Sequence, residues 1–351
     1  MPREIDEEWM DFCAGTFECD DDQETTTKTI APKSTSLYIS TKTKICHFTS
    51  PIDLATVFWK LPMVPYSKPA TGIIKKQMKF CSTSPEELER VEANLRQEIL
   101  TCPNYVNVQT LAHMVNPNGL IKFKDIRKIS VGLSKKDIIN NRSKQKSAFY
   151  NCFVVILRVE HKGTFKEINV KVFNTGKLEI PGIQHDEVLH TVLQTLTQIM
   201  APLVNQPSFT YSQESETVLI NSNFKCNYLI KRDQLVDILK SKYNIKCSYD
   251  PCSYPGIQST FFYVPNRATQ TGIQPQEGEV DVSKVSFMIF RTGSVLIVGR
   301  CTDSILEKIY TFIRTLLETE YHDICDPTGV PPSIEADAAP KKRLRTFQIE
   351  V

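Results

Sequence analysis

The feature that most constrains the fold of this chain is an internal repeat. Residues 173–182 and 290–299 share the pattern F-x-T-G-x-[LV]-x-I-x-G, with an offset of 117 positions. Strand-like residues precede each copy, and a Thr-Gly pair between two such runs is typical of a β-hairpin. Two tandem units of this kind predict an α+β protein with pseudo-twofold symmetry, in which an antiparallel sheet carries helices on one face.

A helix is predicted after each copy of the hairpin, because apolar residues recur there at helical spacing. One apolar stripe per helix indicates that each helix lies on one face of a sheet. The opposite face must then meet solvent or a ligand. The stripes consist of Val188, Leu189, Val192, Leu193, Leu196 and Met200 in the first repeat, and Ile305, Leu306, Ile309, Tyr310, Ile313 and Leu317 in the second.

The upstream halves of the two units match at a larger offset. Leu54 aligns with Leu235, so the first unit contains about 64 additional residues between positions 62 and 147. Ser84-Pro85 inside this insert predicts a helix start, with Ser as N-cap, and the helix is expected to run to Leu100. The predicted division is an acidic disordered arm at 1–33, a first repeat at 34–205, a second repeat at 206–323 and a disordered tail with a basic cluster at 324–351.

Charge is distributed unevenly along the chain. Residues 1–30 contain ten acidic and two basic side chains, whereas residues 31–325 contain 36 basic and 26 acidic side chains, a net charge of +10. A basic body favours a polyanionic partner, although ordinary surface solubility would produce the same imbalance. The insert contributes a basic stretch between Lys122 and Lys146, which could contact phosphates, dock a protein or remain solvated.

Other sequence signals exclude several classes of protein. The eleven cysteines are odd in number and scattered, which favours reduced thiols in an intracellular, reducing compartment over disulfides or a metal site. The acidic N-terminus predicts no secretory signal, and no apolar run is long enough for a membrane helix. The six histidines form no metal-binding pattern, and no phosphate-binding Gly loop is present, so we expect neither an enzyme nor a cofactor.

Short motifs in both repeats resemble the TATA-box-binding protein (TBP) family. In the second repeat, residues 249–256, YDPCSYPG, are similar to the family's Y-E-P-E-L-F-P-G, and residues 289–293, IFRTG, to its I-F-x-S-G. In the first repeat, residues 53–57, DLATV, resemble D-L-K-T-V, and residues 173–177, FNTGK, resemble F-S-S-G-K. The resemblance implies a saddle-shaped, curved antiparallel sheet with helices on its convex face and double-stranded DNA against its concave face. Divergence and inserts of this size would suit a large DNA virus with its own transcription machinery.

The resemblance also implies which aromatic residues act on DNA. The family inserts two phenylalanines per repeat between base steps, and such apolar wedges unstack bases and kink the duplex. Phe173, Phe290 and Tyr254 fall on three of these positions, and either Phe149 or Phe153 falls on the fourth. The alternative is that these rings are ordinary core aromatics.

Period-two alternation assigns further residues to the DNA-facing side. Lysines there would neutralise phosphates, and amides would bond minor-groove acceptors, unless the face is simply solvated. Ile45 is expected to face the helices. The residues expected outside and assigned to DNA are Lys42 and Lys44 in the first repeat, and Asn221, Asn223, Lys225, Leu296 and Val298 in the second.

Departures from the family pattern predict an asymmetric DNA contact with weak or absent TATA preference. The first repeat carries Glu179 and Pro181 where the second carries Leu296 and Val298, and a buried carboxylate facing phosphates is unfavourable. On the family's initiation-factor surface, Asp250 keeps one acidic position and Cys252 replaces another.

The function predicted from these signals is a monomeric, minor-groove-binding transcription initiation factor that recruits transcription factors or RNA polymerase. It would act in the nucleus or in a cytoplasmic viral factory, with no membrane partner. The alternative is a protein-interaction scaffold that keeps the saddle but no longer binds DNA.

Overall fold

The computed structural model describes residues 30–102, 105–116, 119–139, 151–204, 206 and 208–327. The chain divides into two units, residues 1–32 and 33–351, and every element named below belongs to the second. The acidic arm up to residue 29, Phe149 and the basic cluster of the tail lie outside the described residues.

The described part of the chain contains twelve strands and seven helices. The strands are β1 (Tyr38–His47), β2 (Gly72–Ser82), β3 (Val106–Val115), β4 (Phe123–Gly132), β5 (Cys152–His161), β6 (Thr164–Phe173), β7 (Lys177–Ile183), β8 (Glu216–Lys225), β9 (Lys246–Ser248), β10 (Gly256–Tyr263), β11 (Ser283–Phe290) and β12 (Ser294–Gly299). The helices are α1 (Leu54–Lys60), α2 (Pro85–Thr101), α3 (Lys135–Ile139), α4 (Asp186–Met200), α5 (Arg232–Ser241), α6 (Asp303–Thr319) and α7 (Tyr321–Ile324).

All twelve strands form one antiparallel sheet whose order reveals the duplication. The order is β3-β4-β2-β5-β6-β7-β1-β8-β12-β11-β10-β9. Outward from the β1–β8 junction, the sequence β1, β7, β6, β5, β2 on one side corresponds to β8, β12, β11, β10, β9 on the other. The predicted α+β saddle of two pseudo-symmetric repeats is therefore confirmed, and β4 and β3 extend the sheet beyond the first repeat only.

Each repeat has its own apolar core between the sheet and its helices. In α4, the six residues of the predicted stripe are all buried. In α6, five of the six predicted residues are buried, and Ile305 is partly buried against the same core. No helix among the described residues combines the length and hydropathy of a membrane-spanning segment.

The two Thr-Gly turns occupy equivalent places in the repeats. Gly176 and Gly293 both have positive φ, of 83° and 74° respectively. A Cβ atom on Gly293 would lie 2.3 Å from the carbonyl oxygen of Tyr228, and one on Gly176 would lie 2.6 Å from that of Ser50. Glycine is required at both turns because the backbone is left-handed and a neighbouring carbonyl leaves no room for a side chain.

The insert adds α2, β3, β4 and α3 between β2 and β5. Helix α2 begins as predicted, since the Ser84 hydroxyl accepts a hydrogen bond from the Glu87 amide at 3.3 Å. The Glu87 carboxylate in turn accepts from the Thr83 amide at 2.7 Å, and the helix ends at Thr101, one residue beyond the expected end.

A buried ion pair fastens the insert helix to the first repeat. Lys76 on β2 is fully buried, and its Nζ lies 2.5 Å from Glu98 Oε1 on α2. The same ammonium donates to the carbonyl oxygens of Phe58 and Leu61 at the end of α1, at 3.0 and 3.4 Å. Burial lowers the pKa of Lys76, and the hydrogen bond that its ammonium donates to Glu98 opposes this shift.

Removing one partner of this pair should be costly. We expect Glu98→Ala to lower the free energy of unfolding by about 3 kcal/mol or more, because it strands a buried ammonium. The double variant Lys76→Met/Glu98→Leu removes both charges and should be less destabilised than Glu98→Ala. Urea unfolding followed by circular dichroism measures both, and equal stability of wild type and Glu98→Ala would contradict this role.

Candidate nucleic-acid interface

The sheet face opposite the two apolar cores is called here the open face. In β8, Ile220 and Phe224 are buried in the second core, so Asn221 and Asn223 alternate onto the open face. Lys225 follows on the same face and is exposed. The predicted placement of these three polar residues outside the core is therefore correct.

Apolar side chains flank the two asparagines on the next strand. Leu296 of β12 pairs with Asn223, and Val298 pairs with Asn221. Met288 of β11 lies opposite Leu296 and continues the same row. The open face of the second repeat thus combines half-buried aliphatic groups with side-chain amides, a mixture suited to base edges and sugars in a minor groove.

An aromatic pair stands at the far side of this surface. The rings of Tyr254 and Phe290 have centroids 5.8 Å apart and planes inclined by 60°. Gly256 pairs with Phe290 across the strands, and a Cβ there would lie 2.9 Å from the Phe290 ring and 3.1 Å from the Tyr254 ring. The missing side chain of Gly256 therefore gives the two predicted wedge residues the space in which they meet.

The first repeat presents Phe173 at the equivalent place. Phe173 is half-buried and pairs with Cys152, as Phe290 pairs with Gly256. The Lys177 ammonium lies 5.7 Å from the centroid of the Phe173 ring. Burial raises the pKa of the Cys152 thiol, which sits on the open face between these strands.

The prediction that Phe153 could supply the fourth wedge is wrong. Phe153 has no exposed surface and lies in the first core, 6.4 Å from the Phe58 ring between centroids. Strand alternation places it on the helix side because its neighbour Cys152 faces the open side. Cys152 is the counterpart of Gly256, and Tyr254 lies two residues before Gly256. The residue two positions before Cys152 is Tyr150, which the sequence comparison did not select. Tyr150 lies outside the described residues.

The prediction that Lys42 and Lys44 line the open face is also wrong. A β-bulge between Ile39 and Thr41 shifts the alternation by one residue, so each later side chain of β1 changes face. Lys42 then pairs across the strands with Ile183, and Lys44 pairs with Ile180. Both isoleucines belong to the first core, so both lysines lie on the helix side of the sheet.

Both lysines form ion pairs with aspartates at the first residues of helices on the core side of the sheet. Lys42 Nζ lies 2.8 Å from Asp303 Oδ2 at the start of α6, and Lys44 Nζ lies 3.3 Å from Asp186 Oδ1 at the start of α4. The same bulge also reverses Ile45. This residue was expected to face the helices, but it lies on the open side and pairs with Glu179.

An ion pair replaces the aliphatic contact of the second repeat in the first. Lys171 Nζ lies 2.6 Å from Glu179 Oε1, at the positions that Met288 and Leu296 occupy in the other repeat. Both side chains are about 30% exposed, so the carboxylate has a partner and still reaches the surface. The predicted asymmetry of the two open faces is therefore present in the structure.

Part of the open face of the first repeat is covered by the insert and the preceding loop. Arg158 of β5 is buried and donates to the carbonyl oxygens of Tyr66 and Lys68, at 3.1 and 2.9 Å. At the same end of the sheet, Lys75 pairs with Asp137 of α3 at 2.7 Å. The end that carries Phe173 is not crossed by a described helix.

Asp250, the predicted partner-binding residue, is exposed on a turn before β10. Its carboxylate accepts hydrogen bonds from the Ser253 hydroxyl and from the Cys252 amide, the latter at 3.0 Å. The bond from Ser253 lowers the pKa of Asp250, with the Cys252 amide acting in the same direction, so a negative charge is displayed there. Within the described ranges, no group of three or more His, Cys, Asp or Glu residues is placed to hold a metal ion.

Comparison with known proteins finds one curated relative in sequence. The chain is 24% identical over 216 residues to a "TATA-box-binding protein-like" protein of Acanthamoeba polyphaga mimivirus, covering 54% of this chain and 54% of the relative. It thus spans about half the length of the curated relative that it matches. No family model matches. Among solved structures, Methanococcus jannaschii TBP is similar with a TM-score of 0.39 and 11% identity, over 82% of this chain and 99% of that chain.

A duplicated antiparallel sheet, with two apolar cores and their helices on one face, defines the structural class. The resemblance to the TBP family that the sequence predicts is confirmed by this relative. The chain is thus similar, over about half its length, to a TBP-like protein of a large virus.

The bulge in β1 makes the assignment of faces testable by lysine acetylation. We expect Lys225, which is exposed, to react early, and Lys44, which is 9% exposed and ion-paired, to react late. Peptide mass spectrometry after brief treatment of the folded protein measures both, and the urea-unfolded chain, in which the two should react alike, is the control. Equal rates in the folded protein would contradict the assignment.

Proposed function

We propose that this chain is a non-enzymatic, DNA-binding transcription initiation factor that contacts and bends duplex DNA through its open face. The division into repeats at 34–205 and 206–323 is part of this proposal. The observation that carries it is the ring pair of Tyr254 and Phe290, held beside aliphatic and amide side chains of the same face. Aromatic rings at the edge of such a surface are suited to enter a base step and unstack it.

The two repeats would contribute unequally. The second offers Leu296, Val298 and two asparagines to the minor groove, whereas the first offers Phe173 beside the Lys171–Glu179 ion pair. A charged pair gives up hydration when it enters a groove, so we infer that sequence-tolerant contacts predominate in the first repeat. Asp250 would remain available to a transcription factor or polymerase, and the free thiols of the nine described cysteines fit an intracellular, reducing site of action.

The ring pair gives the proposal a direct test. We expect the wild type to bend a 20-base-pair duplex labelled at both ends, and Phe290→Ala to lose most of the bend and at least about tenfold in affinity, since it deletes the wedge. Gly256→Ala keeps both rings but displaces them, and should reduce bending with a smaller loss of affinity. Energy transfer between the end labels measures the bend.

A matched control is available on the same sheet. Phe165 is an exposed aromatic at the far end of β6, and Phe165→Ala should bind and bend DNA like the wild type. Wild-type bending by Phe290→Ala would refute the wedge, and failure of the wild type to bind any duplex at low salt would refute the function.

A protein-interaction scaffold is the second candidate. The ion pair and Pro181 on the open face of the first repeat, and the cover provided by α3, favour it. A scaffold would show no duplex binding that weakens with salt, whereas a DNA-binding factor would show a steep salt dependence.

A further inference from the structure

The insert ends the sheet of the first repeat in an exposed strand. Strand β3 pairs with β4 on one side, and no strand among the described residues pairs with its other side, called here the outer edge. Seven of the ten residues of β3 are exposed. Helix α2 packs over β2 and β4, the two strands next inward. The outer edge is therefore available to a further strand.

The hydrogen-bond pattern shows which backbone groups of β3 point outward. The Gly132 amide donates to the Tyr105 carbonyl at 2.9 Å, so these two residues form a hydrogen-bonded antiparallel pair. Such pairs alternate with non-bonded pairs, whose amides and carbonyls point away from the partner strand. The non-bonded residues of β3 up to its bulge are Val106, Val108 and Thr110. Their amide and carbonyl groups therefore form a row along the outer edge.

Apart from one bulge, the outer edge has none of the features that usually prevent strand pairing. Proteins protect edge strands with charged side chains, with proline or by keeping the strand very short. Strand β3 reads VNVQTLAHMV and contains no Lys, Arg, Asp, Glu or Pro. At the opposite end of the described sheet, β9 has three residues and includes Lys246. The bulge between Thr110 and Ala112 leaves a regular stretch of β3 at residues 106–110.

Large apolar side chains lie along the same strand. Val108, Leu111, Met114 and Val115 are between 39% and 60% exposed. Val108 lies on the helix side of the sheet, because its β4 partner Ile129 is buried in the first core. A group of exposed apolar side chains marks an interaction surface, and a strand added at the edge would cover part of it.

A second copy of β3 matches this edge in an antiparallel register centred on Val108. In that register Val108 lies opposite its own counterpart and Val106 lies opposite Thr110 of the second copy, so the outward backbone groups of both strands meet. Asn107 lies opposite Gln109, which places uncharged amides together. In a symmetric pairing, a charged side chain on the axis would face a like charge. The uncharged sequence of β3 is therefore suited to pairing with itself.

We propose that the chain forms a homodimer in which the two β3 strands pair antiparallel across a twofold axis at Val108. Residues 106–110 of both strands would exchange about six backbone hydrogen bonds. The axis is normal to the sheet, so both helix layers lie on one side and both open faces on the other. This inference goes beyond the proposed function and does not require DNA binding. The sequence signals predict a monomer because they do not reveal that the insert places an uncharged strand at the edge of the sheet.

The test is sedimentation velocity of the full chain over a concentration series. We expect wild type to dimerise with a dissociation constant on the order of 10–100 μM, because five paired residues make a small interface. Val108→Lys and Val108→Glu each place like charges opposite each other and should raise this constant at least about tenfold. An equimolar mixture of the two variants should restore the dimer, because opposite charges then meet at the axis.

A matched control tests whether any added charge has the same effect. Val280, in the loop before β11, is 65% exposed, and Val280→Lys should dimerise like the wild type. Loss of the dimer in this control would overturn the proposal, because the effect would then be general charge. Thermal unfolding of each variant verifies that a loss of the dimer is not a loss of fold.

The remaining outcomes are equally decisive. A wild type that stays monomeric throughout the series overturns the proposal, whether another segment of this chain or a different protein covers the outer edge. Dimers that persist in both Val108 variants place the contact elsewhere and also overturn it. A mixture of the two variants that stays monomeric overturns the symmetric register. None of these results bears on DNA binding, so the proposed function stands or falls separately.

Discussion

The pairing of β1 with β8 is the interaction on which the rest of the structure depends. These strands join the two repeats through a ladder that runs from Tyr38 opposite Asn223 to Ile45 opposite Glu216. Each repeat has its own apolar core, but only this antiparallel junction makes their sheets continuous. Because the junction keeps the helices of both apolar cores on one side, it leaves one long face on the other, part of which α3 and the loop before β2 cover.

The duplication has diverged most where the two open faces differ chemically. Leu296 and Met288 in one repeat correspond to Glu179 and Lys171 in the other, so an aliphatic contact has become an ion pair. The insert adds strands β3 and β4 to the sheet of the first repeat only. Under the proposed function, groove contacts would be concentrated in the second repeat.

Sequence reasoning recovered the elements that depend on periodicity. The duplicated hairpins, the stripes of α4 and α6 and the alternation of β8 all follow from hydrophobic spacing, and the structure contains them. The face of Lys42 and Lys44 could not be obtained in this way, because a single bulge residue reverses every later assignment.

The positions of the remaining site residues depend on which strands pair and in which register. Phe153 is an aromatic at the start of β5, and its pairing with buried Met78 places it on the core side of the sheet. Gly256 likewise acquires meaning only when the rings of Tyr254 and Phe290 are seen to meet above it.

The measurement that tests the central claim most directly is a map of lysine acetylation with and without a bound duplex. The account requires that DNA protect Lys225 on the open face and leave Lys60 and Lys240, on helices α1 and α5, as reactive as before. Protection of the helix-layer lysines, with the open face unchanged, would contradict it.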